Sequence, residues 1–331
     1  MINAAIVGLG RWGQKLVDSV QTADGPKGDA IKVTRAVTRT PSKVEDYCKG
    51  LGITLSDRYE DALEDSSIDA VILATPHSQH ADQIVAAAAA GKQIFVEKPF
   101  TLNSADAVRA AEACAKAGVV CALGHNRRFL PAMQEIKQMI DSDTLGQMLQ
   151  VEANFSGNGA LRYKADMWRA NGAEESPVGG MTGMGVHMID SMVMMYGHIE
   201  AVRTVSKRQV VEVNMDDTSV IMLEFRNGRL GTLTTLAATQ PLWRIQFMGV
   251  KGWVQLSHHT KMESLIDGIG RKQRDFDATD IERAELEAFA AAASGGTAYP
   301  LPVEDAVHNA AVLEAIIASA KQNGERVVVA G

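Results

Sequence analysis

Two rhythms of apolar and polar positions divide the chain. In the first, short apolar runs alternate with stretches where apolar residues recur every three or four positions. Residues 4–7 are apolar and short enough for a buried strand; Trp12, Leu16, Val17 and Val20 follow at helical spacing, and residues 31–37 read as a strand again. The same alternation continues through a strand at 70–74 before Pro76, an alanine-rich helix ended by Gly91, a strand around Ile94, a helix over 103–118 and a strand over 119–123. Strands separated by helices predict a doubly wound parallel sheet with both faces covered.

From about Met148 the grammar changes. Residues 218–225 alternate strictly, Asn227-Gly228 supplies a hairpin turn, and residues 230–236 alternate again, which predicts antiparallel strands. The expected architecture is α/β: a Rossmann domain over 1–125, then an α+β domain over 126–331 built on a large open, mostly antiparallel sheet. An open sheet with helices on one face leaves the other to be covered by an identical subunit, so a homodimer or homotetramer is expected. Glycines at 157 and 159 and the stretch 171–177 mark a long loop, and helices return over 280–294 and 303–323. Met181, Met184, Met188, Met192 and Met195 fall on one helix face and read as an adaptable buried surface.

Composition narrows the function classes. The chain has 331 residues, 46% hydrophobic and 22% charged, with a net charge of −7. That length suffices for two cores, and the acidic balance, with no dense Lys/Arg block, argues against nucleic acid as a partner. Cys48, Cys114 and Cys121 form no C-x-x-C pair and suit reduced core thiols. No histidine pair comes with carboxylate or thiol partners, so no metal site is expected; His77 with His80 reads as a cleft rim and helix start, His258-His259 as a loop after a strand. The first residues lack the basic and long apolar regions of a signal peptide and no run is long enough to span a membrane, so the expected compartment is the cytoplasm.

Chemistry enters at Gly8-Leu9-Gly10-Arg11-Trp12-Gly13, after a strand and before a helix. Glycines in that context allow a tight turn and let the backbone approach a pyrophosphate at the helix N-terminus. NAD-selective sheets place an acid at the end of the second strand, but here stand Thr38 and Arg39, with Lys43 nearby; NADP is therefore preferred slightly over NAD. A second signal is Glu97-Lys98-Pro99, where a very apolar strand ends on two charges. A lysine at that end of an open α/β sheet points into the ligand crevice, where burial beside a cationic ring would ready it for proton exchange.

Several motifs together resemble the Gfo/Idh/MocA oxidoreductases, the glucose-fructose oxidoreductase and inositol dehydrogenase family. They are the glycine turn, Ala74-Thr75-Pro76 followed by His80, Glu97-Lys98-Pro99, Arg127-Arg128, Trp168-Arg169 before Gly179-Gly180, and His187 with Asp190. The resemblance implies hydride transfer between a nicotinamide and a carbinol or carbonyl carbon of a sugar, polyol or related molecule, with Lys98 and His187 in proton transfer. It also implies that Gly8, Gly10, Arg11, Trp12, Gly13, Thr38, Arg39, Lys43, Ala74, Thr75, Pro76, His80, Glu97 and Lys98 line the cofactor site. Arg127, Trp168, Arg169 and Asp190 would bind substrate, and the lysine–proline bond would be cis.

The chain departs from the family pattern at Gly183, where an aspartate commonly stands four residues before the histidine. Loss of that carboxylate weighs against inositol-type polyol recognition and leaves room for a bulkier, less hydroxylated or anionic substrate. Two other classes share the scaffold: an NAD-dependent glycosidase, distinguished by cofactor retention without net turnover, and a non-catalytic dinucleotide sensor.

Overall fold

β1 (Ile2–Val7) is apolar enough to be buried on both sides, and it takes the middle of a six-stranded parallel sheet. The computed structural model describes residues 1–170 and 175–330; part of the loop expected over 171–177 lies outside the described residues. The chain divides into two units, the first made of Met1–Asn126 with Asp280–Val307, the second of Arg127–Thr279 with His308–Gly331.

In the first unit, α1 (Arg11–Val20) leads to β2 (Ile31–Val37), then α2 (Glu45–Gly50), β3 (Thr54–Ser56), β4 (Ala70–Leu73), α3 (His80–Ala89), β5 (Gln93–Val96), α4 (Ser104–Ala117) and β6 (Cys121–Leu123). The strand order is β3-β2-β1-β4-β5-β6. Successive strands are laid outward from β1, first on one side and then on the other, so a crevice opens beyond the carboxyl ends of β1 and β4. Every residue of β4 is buried, as a parallel strand covered on both faces requires. α4 begins where the Asn103 side chain accepts from the Asp106 N–H at 2.8 Å, and stops at Gly118, whose φ of 67° is left-handed.

The domain boundary read from the sequence needs one correction. α7 (Ile281–Ala293), named here ahead of the second unit's elements, belongs to the first unit, which a single cut near residue 125 does not anticipate. Leu286, Phe289 and Ala290 join the core that holds Ile6, Ile72 and Phe95, with the Phe95 and Phe289 rings 5.8 Å apart.

The second unit contains α5 (Pro131–Asp141), β7 (Met148–Ser156), α6 (Val186–Tyr196), β8 (Ile199–Lys207), β9 (Thr218–Phe225), β10 (Leu230–Leu236), β11 (Leu242–Gly249), β12 (Gly252–Ser257), β13 (Lys261–Ile266), β14 (Gly270–Asp275) and β15 (Val327–Val328). Its nine-stranded sheet runs β14-β13-β12-β11-β7-β10-β9-β8-β15, and only β7 with β10 is a parallel pair. The Asn227-Gly228 turn joins β9 to β10, with Gly228 at φ 81°. α6 lies on the inner face: Tyr196 packs between Phe225 and Phe247 at 5.4 and 5.7 Å and donates its hydroxyl to the Gln150 carbonyl. On the other face Val205, Val220, Met222 and Leu230 are exposed.

The methionine stripe is buried at Met181, Met188, Met192 and Met195, but it is not one regular helix. Residues Met181–Gly185 form a single π-helical turn ahead of α6. Gly183 and Gly185 remove the side chains that would hold this turn to the tighter spacing, and Gly185 lies where a Cβ would collide with the Met181 side chain.

Candidate active site

The carboxyl ends of the central strands of the first unit are stitched together. Gly8 N–H donates to Val37 O, and Ala74 N–H donates to Val7 O, both at 2.8 Å, so the turns after β1, β2 and β4 lie side by side. Gly8 has φ 94°, and a Cβ there would stand 2.5 Å from Ala74 O. A Cβ on Gly13 would run into the Gly8 carbonyl, whereas one on Gly10 would meet nothing within 4 Å. Two glycines thus permit close packing and the third leaves open space above the helix start. No side chain caps α1, and buried Trp12 Nε1 finds no partner among the described residues. Uncapped N–H groups facing open space are what a pyrophosphate requires, so these residues fit a dinucleotide. Beyond β2, Thr38 is half-buried while Arg39 and Lys43 are exposed.

β5 ends beside β4, where Glu97 N–H donates to Leu73 O at 2.9 Å, and the Lys98–Pro99 bond is cis. Lys98 is half-buried. Glu97 is turned inward: a Cβ on Gly124 would stand 3.1 Å from its Oε1. His80 is fully buried, with Nδ1 2.8 Å from Pro99 O and Nε2 3.2 Å from Thr75 O. It therefore ties the Ala74-Thr75-Pro76 turn to the Glu97-Lys98-Pro99 turn rather than presenting its ring to a ligand. Thr75 is held in turn by Gln83, its Oγ1 donating to Oε1 at 2.6 Å.

In the second unit the adjacent arginines divide their work. Arg128 grips Asp190 through Nε (3.1 and 2.9 Å) and Nη2 (2.8 Å), and Asn309 Nδ2 donates to the same carboxylate at 3.1 Å. Both partners are interior, Arg128 at 4% and Asp190 at 0% exposure. Sequence reasoning gave Asp190 to the substrate or to orienting His187; its carboxylate instead serves Arg128 and Asn309. Arg127 Nη1 lies 3.3 Å from His187 Nε2. A guanidinium only donates, so Nε2 is the acceptor and the neutral ring carries its proton on Nδ1. Arg127 also lies 5.3 Å from the centroid of Phe155, itself 6.1 Å from the His187 ring. Trp168 and Arg169 form a cation–π pair at 4.0 Å in the short helical turn Trp168–Ala170.

Residues 2–125 match the oxidoreductase family with an NAD-binding Rossmann fold, and residues 133–255 match the GFO/IDH/MocA C-terminal domain. The chain belongs to the GFO/IDH/MocA oxidoreductase family. One relative of this family member, scyllo-inositol 2-dehydrogenase (NAD(+)) of Bacillus subtilis, is 39% identical over 169 residues, 48% of this chain. The aligned stretch spans under half, 46%, of that enzyme. Among solved structures, one from Desulfitobacterium hafniense carrying a provisional assignment as an NADPH-dependent oxidoreductase superposes with a TM-score of 0.91 at 26% identity, covering 99% of this chain and 97% of that one. Levoglucosan dehydrogenase bound to NADH and levoglucosan has the same fold, with a TM-score of 0.88 at 19% identity and 100% of both chains covered.

Sequence reasoning missed two contributors near Arg127. Phe155 gives no motif signal, and His259, read as part of an ordinary loop, packs edge-on to Trp243 with ring centroids 4.6 Å apart. Burial, with the nearby charges of Arg127 and His258, pushes the His259 imidazole down to about 4.

Proposed function

We propose that the chain is an NAD(P)-dependent oxidoreductase acting on a carbinol or carbonyl carbon of a sugar, polyol or related small molecule. The observation that carries this reading is the cradle at the ends of β1 and β4, open above Gly10 and closed by glycine contacts beneath it, with Lys98 at the end of the adjoining β5. A bound nicotinamide dinucleotide supplies hydride acceptance or donation. Gly8, Gly10, Gly13 and the first turn of α1 hold its pyrophosphate, and the 2′ position meets Thr38 and Arg39, with Lys43 near, which favours NADP over NAD.

Lys98 and His187, one from each unit, carry the substrate proton. His187 enters the reaction neutral, because the Arg127 N–H occupies Nε2 as acceptor until a substrate hydroxyl competes for it. Arg128 and Asp190 do not meet substrate in this reading; their bidentate pair fixes the backbone that presents Arg127 to α6. Trp168 and Arg169 provide a stacked cation on the substrate side. The exposed apolar stripe of Val205, Val220, Met222 and Leu230 supports pairing of the sheet with a second copy, as a dimer or tetramer, which light scattering at micromolar concentration tests.

The deciding experiment is a panel of polyols, sugar acids and dihydrodiols followed by absorbance of the reduced cofactor. Lys98→Ala and His187→Ala should each cut turnover about a hundredfold or more, with the double substitution costing far less than the product. Near-normal turnover in folded Lys98→Ala, with cofactor binding intact, overturns the mechanism.

A further inference from the structure

One cluster in the second unit is not explained by proton transfer. β11 and β7 pair so that Trp243 stands opposite Phe155, on the inner face that carries α6. Trp243 is 5% exposed, yet its buried Nε1 finds no hydrogen-bond partner among the described residues, and neither does buried Nε2 of His259. Two such atoms on adjoining rings are unusual, since buried polar atoms are normally satisfied.

The backbone shows that the His259 ring is held there at a cost. His258 and His259 sit in the hairpin between β12 and β13 with φ of 51° and 68°, left-handed values that favour Gly or Asn. Two consecutive non-glycine residues in this region, one turning its ring inward onto Trp243, point to a use for the side chain.

The chemistry of the cluster fixes what it would hold. Trp243 Nε1 only donates, Arg127 brings a permanent positive charge, and His259, kept neutral, donates from Nε2 when its other nitrogen is bare. On α6 the acid that might answer Arg127, Asp190, is engaged by Arg128 and Asn309. At the position of the family aspartate Gly183 adds no negative charge, and a Cβ there would meet nothing within 4 Å. A donor-rich, singly positive, water-poor site suits an acceptor bearing one negative charge, and a planar carboxylate matches a guanidinium fork.

We infer that Trp243, His259 and Arg127 form a carboxylate-binding subsite, so that the substrate is a polyhydroxy acid such as an aldonate or uronate rather than a neutral polyol. This rests on the oxidoreductase reading for the reacting carbon, with Arg127 linking the subsite to His187.

The test reads binding separately from turnover. The full chain, ¹⁵N-labelled at its four tryptophan indoles, is titrated at constant ionic strength with D-gluconate and D-glucuronate, and with sorbitol and methyl glucoside as uncharged controls. The indole signal that Trp243→Phe removes should move downfield with the acids and stay in place with the controls. His259→Asn keeps a residue suited to the left-handed turn, and should weaken acid affinity roughly tenfold or more while leaving the controls unchanged. It also serves as the binding test if Trp243→Phe fails to fold. An unmoved Trp243 signal with both acids, an equal shift with the controls, or undiminished acid affinity in His259→Asn overturns the subsite. A shift without any hydride transfer leaves the subsite standing and removes the oxidoreductase reading instead.

Discussion

Replacing Asp190 by Asn tests how the second unit holds its site. Arg128 and Asp190 are 4% and 0% exposed and joined by three hydrogen bonds of 2.8 to 3.1 Å. Asn keeps the shape and one acceptor but removes the charge, leaving a guanidinium in the interior without its counter-ion. Breaking a buried pair from one side costs about 3–5 kcal/mol, and the acceptor that Asn retains returns about 1 kcal/mol, so Asp190→Asn should destabilise by about 3 kcal/mol. At about 2–4 °C per kcal/mol for a unit of this size, the midpoint should fall by about 6–12 °C. Arg128→Met, which strands the carboxylate with only Asn309, should cost at least as much. The combination Arg128→Met with Asp190→Leu should cost no more than about 1 kcal/mol, because a pair replaced by apolar side chains leaves no charge behind. Urea unfolding followed by tryptophan fluorescence reports on this unit, which holds Trp168, Trp243 and Trp253. An Asp190→Asn variant within about 1 kcal/mol of the parent, or a double variant as unstable as the sum of the singles, would refute the reasoning.

Three further outcomes follow from the same geometry. Arg39→Ala should weaken NADP(H) more than NAD(H) in fluorescence titrations, and equal loss for both removes the 2′-phosphate argument. Gly183→Asp, for which the backbone has room, should lower the gluconate-to-sorbitol ratio of kcat/KM by about tenfold by placing a negative charge near the carboxylate subsite; an unchanged ratio removes Gly183 from specificity. His259 has its pKa pushed down to about 4 from an unfolded value of 6.5, so below pH 6.5 the unfolded chain takes a proton that the folded chain refuses. Stability should hold above that pH and decline by about 1–3 kcal/mol as pH falls toward 4, a decline that His259→Asn should abolish in urea midpoints.

The first sheet was legible because its signals are local. A glycine turn between a strand and a helix, and a charged strand end at Glu97 and Lys98, need only a few neighbouring residues to be read. Asn103 and Gly118 likewise announced both ends of α4. What escaped depends on partners far away in the chain. Nothing around residues 281–293 says that Phe289 will meet Phe95, since an amphipathic helix shows that it covers something but not which sheet. Arg127 and Arg128 are indistinguishable in sequence, and the turn that sends one to His187 and the other to Asp190 is set by tertiary packing. His259 was hidden for the opposite reason: a turn that would ordinarily carry Asn-Gly holds two histidines, and only the positive φ angles reveal the exception. The methionine periodicity suggested an unbroken helix because spacing alone does not register the widening to a π turn at Gly183 and Gly185.

The late return of α7 to the first unit bears on how the chain is made. All six strands of the parallel sheet have left the ribosome by Leu123, but Leu286, Phe289 and Ala290, which complete their core, are translated only after the intervening segment Arg127–Thr279. At about 5–20 residues per second that is a delay of roughly 8–30 s, during which the surface around Phe95 awaits its cover. A fragment ending at residue 126 would keep that surface permanently and should need a chaperone to stay dispersed, whereas one rejoined to residues 280–307 through a short linker should fold unaided.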